Sequence, residues 1–124
     1  MSEGQAYILC VDDDPINLEL VDAYLEGLYE VKCVENGQQC LDSVEERMPD
    51  LILLDLMMPI MDGKTCCKAL KSSPTTKDIP IIILSAKSYE EDKKEMFKMG
   101  VNNYLTKPFS EERLIKVIGD CLSI

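Results

Sequence analysis

Two adjacent carboxylates at Asp12 and Asp13, a third at Asp55, a hydroxyl at Ser85 and an ammonium at Lys107 are the residues whose types and settings suit chemistry. Each follows a short apolar or β-compatible run: Tyr7 to Val11, Leu51 to Leu54, Ile79 to Leu84 and the weaker Asn102 to Leu105. A carboxylate that closes a buried run is costly without solvent, a cation or a hydrogen-bonding partner, so Asp55 is either a working group or simply the first loop residue. Three carboxylates brought together repel, by about 4 kcal/mol for a pair roughly 4 Å apart at an effective dielectric near 20. A divalent cation relieves that repulsion. In a chain without histidine, all-oxygen ligation favours a hard ion, Mg²⁺ before Ca²⁺, because no glycine-centred loop of alternating acids is present. With a fixed ammonium and a hydroxyl donor added, the set is arranged for a phosphoryl group, whose oxygens the cations neutralise while one carboxylate attacks in line.

Taken singly, the same residues have plainer uses. Asp14 is placed to cap a helix, Asp12 and Asp13 to be N-terminal helix charges favoured by the dipole, Ser85 to be a turn residue and Lys107 a surface cation. Their conjunction at the ends of successive apolar runs is what points to a site.

Such a conjunction requires the runs to lie side by side and point one way, and the intervening segments supply the means. Asp14 with Pro15 opens a helix whose stripe is Leu18, Val21, Leu25 and Leu28. Glu30 to Val34 alternates as an edge strand does, and Asn36 with Gln39 begins a second helix carrying Cys40, Leu41, Val44 and Met48. Asp62-Gly63 leads into a third helix near Lys64 to Lys71. Ser88 with Glu91 caps a fourth, with Met96, Phe97 and Met99 inward and Gly100 at its end. Ser110 caps the last, whose stripe is Leu114, Val117, Ile118, Cys121 and Leu122. Five β-α units of about 20 to 25 residues predict a parallel sheet with right-handed crossovers and helices on both faces. The most apolar strands are the third and fourth and the least are the second and fifth, which suits the flavodoxin-like order 2-1-3-4-5.

Length and charge bound the function. At 124 residues the chain is expected to be one domain, 1–124, able to bury roughly two-thirds of its unfolded surface. Thirteen Lys plus Arg against 23 Asp plus Glu give a net charge of −10, which argues against direct nucleic-acid contact. No apolar run approaches the ~20 residues that span a bilayer, and the N-terminus has no export signal, so a soluble, cytoplasmic protein without membrane contact is expected. Six cysteines without a C-x-x-C pair read as reduced, buried small hydrophobes, and Cys66 and Cys67 point about 100° apart on a helix, against a redox pair. The absence of histidine excludes His-dependent triads, His-bearing zinc sites and a histidine general base within the chain.

Val11-Asp12-Asp13, Leu54-Asp55-Leu56-Met57-Met58-Pro59 with Asp62-Gly63, Leu84-Ser85-Ala86 and Lys107-Pro108-Phe109 together resemble the motif set of response-regulator receiver domains, in order and spacing and over essentially the whole chain. The resemblance implies that Asp55 is the phosphoacceptor, charged by a phosphohistidine on a partner histidine kinase or phosphotransfer protein. It implies that Asp13, Asp55 and the Met57 backbone carbonyl ligate Mg²⁺, or Mn²⁺ in its place, with Asp12 acting largely through water. It gives Ser85 a hydrogen bond to the phosphoryl oxygen and Lys107 an ion pair with it. Tyr104 matches the family's switch aromatic, and Met57 and Lys87 stand where phosphoryl lifetime is tuned. The chain is then a switch that assists its own phosphorylation and dephosphorylation rather than an enzyme. Its output face, for a downstream protein or a second copy, is formed by the fourth helix, fifth strand and fifth helix.

Two other classes compete. A haloacid-dehalogenase-like phosphatase also uses an aspartyl nucleophile, with Asp12-x-Asp14 as its motif, but no Asp-bearing acidic pair follows Lys107 and there is no cap domain. A flavodoxin-like electron carrier needs a glycine- and hydroxyl-rich phosphate loop where Asp12-Asp13-Asp14 would repel the flavin phosphate. Whether the chain is a stand-alone regulator or a receiver excised from a longer protein is open, as are its kinase and its output.

Overall fold

Residues 5–86 and 90–122 are described in this computed structural model. Strands and helices alternate as β1 (Tyr7–Val11), α1 (Pro15–Leu25), β2 (Glu30–Val34), α2 (Gly37–Glu46), β3 (Leu51–Asp55), α3 (Gly63–Ser72), β4 (Ile81–Ser85), α4 (Glu90–Met99), β5 (Asn103–Thr106) and α5 (Glu111–Leu122). All strand pairs are parallel and the sheet order is β2-β1-β3-β4-β5. This is the flavodoxin-like (βα)5 architecture expected from the sequence.

Strands β1, β3 and β4 are buried along their entire length, as central parallel strands covered on both faces must be. Successive side chains alternate between two apolar cores. Leu9, Val11, Ile52, Leu54, Ile81 and Ile83 meet α2, α3 and Met96 of α4, whereas Ile8, Cys10, Leu51, Leu53, Ile82 and Leu84 meet α1 and Leu114, Val117 and Ile118 of α5. β2, at the edge, is only partly buried: its burial does not alternate as expected, and Val34 is its one buried residue.

Helix starts follow their caps. The Asp14 carboxylate accepts from the Ile16 amide at 2.9 Å, Asn36 from Gln39 at 2.9 Å, Asp62 from Thr65 at 2.8 Å and the Ser110 hydroxyl from Arg113 at 3.0 Å. Each such cap contributes about 1 kcal/mol. The Gln39 side chain returns its bond to the Glu35 amide rather than to that of Asn36. α4 ends at Gly100, whose φ of 102° allows the Val101 amide to reach back to the Met96 carbonyl.

Three expected core residues lie elsewhere. Leu28 and Met48 fall beyond the ends of α1 and α2 and are about half exposed, because those helices stop at Leu25 and Glu46. Phe97 is 47% exposed: α4 touches the sheet along a narrow stripe, and Met96 and Met99 fill it. The expected Ser88 cap lies outside the described residues, as does Lys87.

Gly63 fixes how closely α3 approaches the end of β3. Its amide donates to the Leu56 carbonyl at 3.0 Å, and a Cβ there would sit 2.3 Å from the Asp55 carbonyl oxygen and 2.7 Å from the Leu56 Cα. Both obstacles are backbone and cannot rotate away. Gly63→Ala is therefore expected to cost about 2 to 3 kcal/mol in chemical denaturation, at the upper end of overpacking effects. A cost of a few tenths would show that the β3–α3 junction yields.

Candidate functional site

In this strand order the chain reverses direction across the sheet between β1 and β3, and a crevice opens beyond the carboxyl ends of those strands. Asp12 follows β1, Asp55 ends β3, Ser85 ends β4 and Lys107 follows β5. The structure thus brings together the groups singled out from the sequence. Carboxylate oxygens of Asp12, Asp13 and Asp55 lie within 4.8 Å of one another. The Lys107 Nζ stands 2.8 Å from the Asp12 carboxylate and 3.5 Å from that of Asp55.

Each group is held by its backbone surroundings. Asp12, only 1% exposed, accepts from the Asp14 amide at 2.9 Å, while its own amide donates to the Val34 carbonyl at 3.1 Å. Asp55, 4% exposed, accepts from the Met57 amide at 3.4 Å. The Lys107 amide donates to the Ser85 carbonyl at 2.7 Å, tying β5 to the end of β4, and the Lys107-Pro108 peptide is cis. Ser85 is fully buried and Asp13 is exposed. Asp14 lies at the same turn, but its side chain is used at the start of α1.

The electrostatics are those of a negative pocket with too little counter-charge. Burial, then the neighbouring Asp12 charge, push the Asp55 carboxyl up to about 6 against the opposing pull of Lys107 and the Met57 amide. Burial alone would pull Lys107 down, yet its bond to Asp12 and the charge of Asp55 prevail and raise it. Among the described residues, three carboxylates facing one ammonium suit a hard divalent cation, and the donor atoms are all oxygens.

Of the remaining expected residues, Tyr104 is buried in the core with Met96, and the Lys93 Nζ lies 5.7 Å from its ring centroid. Met57 is 59% exposed at the rim. Sequence reasoning missed the rest of that rim. Lys64 at the start of α3 pairs with Glu95 at 2.5 Å and Asp92 at 3.6 Å on α4, across a cleft of about 330 Å³ that reaches Ser85. Ile16 and Ile60 stand 72% and 82% exposed, and Ile60 has a φ of 69°, rare for a β-branched residue. Nothing in the local sequence announces the Lys64 contacts, because the partners lie on a different helix.

A parallel sheet with an acidic triad and a lysine at its switch point defines a flavodoxin-like α/β domain with a charged crevice. The chain belongs to the response regulator receiver domain family, whose model matches residues 8–119. It is 37% identical over 122 residues to the sensor protein GacS of Pseudomonas syringae pv. syringae, covering 95% of this chain and 14% of that protein. It is 40% identical over 110 residues to the response regulator PleD of Caulobacter vibrioides, covering 88% and 24% respectively. The chain therefore spans less than a quarter of the length of these two relatives. Among solved structures, the receiver domain of a sensor histidine kinase from Pseudomonas aeruginosa PAO1, with a magnesium ion coordinated in its active-site cleft, superposes with a TM-score of 0.89 at 30% identity, covering 98% of this chain and all of that one. No helix among the described residues is long and apolar enough to cross a membrane.

The raised pKa of Asp55 has a stability consequence. Between the ordinary carboxylate value near 4 and about 6, the folded metal-free protein holds a proton that the unfolded chain has released, so stability falls as pH rises through that window and stays lower above it. Asp55→Asn is expected to flatten this slope and to leave the metal-free variant more stable than wild type at pH 7, by at most about 3 kcal/mol on the scale of 1.4 kcal/mol per pH unit. Urea denaturation in chelator at pH 4 and pH 7 measures it, and an unchanged slope would place the repulsion elsewhere.

Proposed function

We propose that this chain is a phosphorylation-operated signalling switch in which Asp55 is the phosphoacceptor. The observation that carries the reading is the ammonium of Lys107 set against two buried carboxylates, 2.8 Å from Asp12 and 3.5 Å from Asp55. An incoming phosphoryl group brings the negative charge that Lys107 can pair with once Asp55 is committed to the new bond.

The Asp55 carboxylate oxygen attacks phosphorus in line as the phosphorus–nitrogen bond of a partner's phosphohistidine breaks, and the leaving imidazole keeps the electron pair and is protonated. The partner is a histidine kinase or phosphotransfer protein, since this chain has no histidine of its own. Lys107 pairs with a phosphoryl oxygen and Ser85, at the end of the neighbouring strand, donates its hydroxyl to another. Mg²⁺, or Mn²⁺ in its place, would be held by Asp13, Asp55, the Met57 backbone carbonyl and, largely through water, Asp12, and when bound it supplies the positive charge that the pocket lacks. Displacement of Ser85 toward the phosphoryl group, followed by Tyr104, then biases the face formed by α4, β5 and α5, where a downstream protein or a second copy binds. One receiver domain over 1–124 and a cytoplasmic setting accompany this reading, and the six free thiols suit a reducing compartment.

Asp14 favours this over an Asp12-based phosphatase. Its carboxylate caps α1 through the Ile16 amide, leaving the Asp12-x-Asp14 pair without its second member. Incubation with acetyl phosphate and Mg²⁺, followed by mapping of the acyl phosphate, tests the assignment. Label is expected on Asp55 and none on Asp55→Asn, with Lys107→Ala sharply slowed. Label on Asp12, or equal label on Asp55→Asn, would overturn it.

Met57 and Lys87 tune how long the phosphoryl group survives. The exposed Met57 side chain has no polar group to orient a hydrolytic water. Slow spontaneous loss of phosphate is expected, and Met57→Asn is expected to hasten it. Rapid loss from wild type, similar in Met57→Ala, would count against this role.

A further inference from the structure

Phosphoryl transfer leaves the cysteine thiols unused. Cys10 in β1 and Cys33 in β2 are register partners on neighbouring parallel strands, so their side chains leave the same face of the sheet. Cys10 is fully buried, whereas Cys33 is exposed on the edge strand, beside a groove formed by Pro15, Leu18, Glu19 and Asp22. The Cys10 thiol donates a hydrogen bond to the Cys33 sulfur, and the Cys33 thiol in turn donates to the Leu18 carbonyl at 3.9 Å. Adjacent strands run about 4.8 Å apart, inside the Cα separations of about 4.4 to 6.8 Å that disulfides use. A second thiol pair, Cys40 and Cys66, is fully buried on both sides and out of reach of solutes.

We propose that Cys33 and Cys10 form a peroxide-oxidised dithiol, a modification site in which exposed Cys33 attacks and buried Cys10 resolves. The Cys33 thiolate sulfur attacks one oxygen of a hydroperoxide and the O–O bond breaks. Sulfur is oxidised to a sulfenic acid, and the other oxygen takes a proton and leaves as water or alcohol. The Cys10 sulfur then displaces the sulfenic hydroxyl, which departs as water with the Cys10 proton, and the disulfide forms. The hydrogen bond from Cys10 draws the Cys33 thiol below its ordinary range, against burial and the Asp22 charge, which favours the attacking thiolate.

The link would lie against the acidic cluster. Val34, next to Cys33, accepts the Asp12 amide at 3.1 Å, so adjustment of β2 against β1 moves the backbone that presents Asp12 and Asp13. Oxidation therefore weakens Mg²⁺ binding. This consequence rests on the metal assignment above, whereas formation of the disulfide does not.

Treatment of the intact protein with hydrogen peroxide, alkylation of the remaining thiols and non-reducing peptide mapping test the proposal. The expected result is a linked Cys10–Cys33 peptide that dithiothreitol separates. Cys10→Ser is expected to leave Cys33 as a sulfenic acid captured by dimedone, and Cys33→Ser to leave Cys10 unmodified. A Cys33 that stays alkylatable after peroxide, or oxidation confined to Cys121 or to bonds between molecules, would overturn it. Calorimetric titration with Mg²⁺ is expected to show several-fold weaker binding by the oxidised form. Equal affinities would overturn the coupling, and failure of the reduced protein to bind Mg²⁺ would instead count against the metal assignment, with the disulfide result unaffected.

Discussion

The structure depends on keeping three carboxylates together against their repulsion, with Lys107 the one ammonium paired with them among the described residues. Unrelieved, each close pair opposes folding by several kcal/mol, and the rise of the Asp55 carboxyl to about 6 reflects its burial first and the Asp12 charge second. A pocket in this condition gains from any positive ion and is poised for an anion that can share Lys107. The destabilising arrangement and the chemistry are thus one feature.

What holds it is the apolar frame beneath. β1, β3 and β4 carry almost nothing but aliphatic side chains on both faces, and these are sealed by helices on either side. Rigid strands can present Asp12, Asp55 and Ser85 at fixed separations because their registers are set: Val11 opposite Leu54 and Asp55 opposite Leu84. Gly63 brings α3 against the Asp55 carbonyl, and the Lys107 amide ties β5 to Ser85. Stability is concentrated in the sheet, while the strained Ile60 backbone and the exposed apolar residues gather at the loops around the pocket.

The edge of the sheet answers to different constraints. β2 is the strand with one face open, and there a cysteine meets solvent with a second cysteine directly behind it. Cys40, Cys66 and Cys67 behave as small core residues, with burial and neighbouring thiols raising Cys40 and Cys67 above the ordinary range. The same residue type is thus packing material in one place and accessible sulfur in another, according to which strand carries it.

The alternation of apolar runs with capped helical stripes determined the five β-α units, since Asp14-Pro15, Asn36, Asp62, Gly100 and Ser110 act locally and mean the same in any tertiary context. The residues that the fold gathers at the crevice were legible too, because polar groups ending fully apolar strands have few structural uses. Phe97, Leu28 and Met48 were misread as core because periodicity locates a helical stripe but not where the helix stops or how narrow its contact is. Only the folded chain placed Lys107 closer to Asp12 than to Asp55, joined Lys64 to α4 and stacked Cys33 over Cys10. Those relations join residues far apart in the chain, and strand order and register create them.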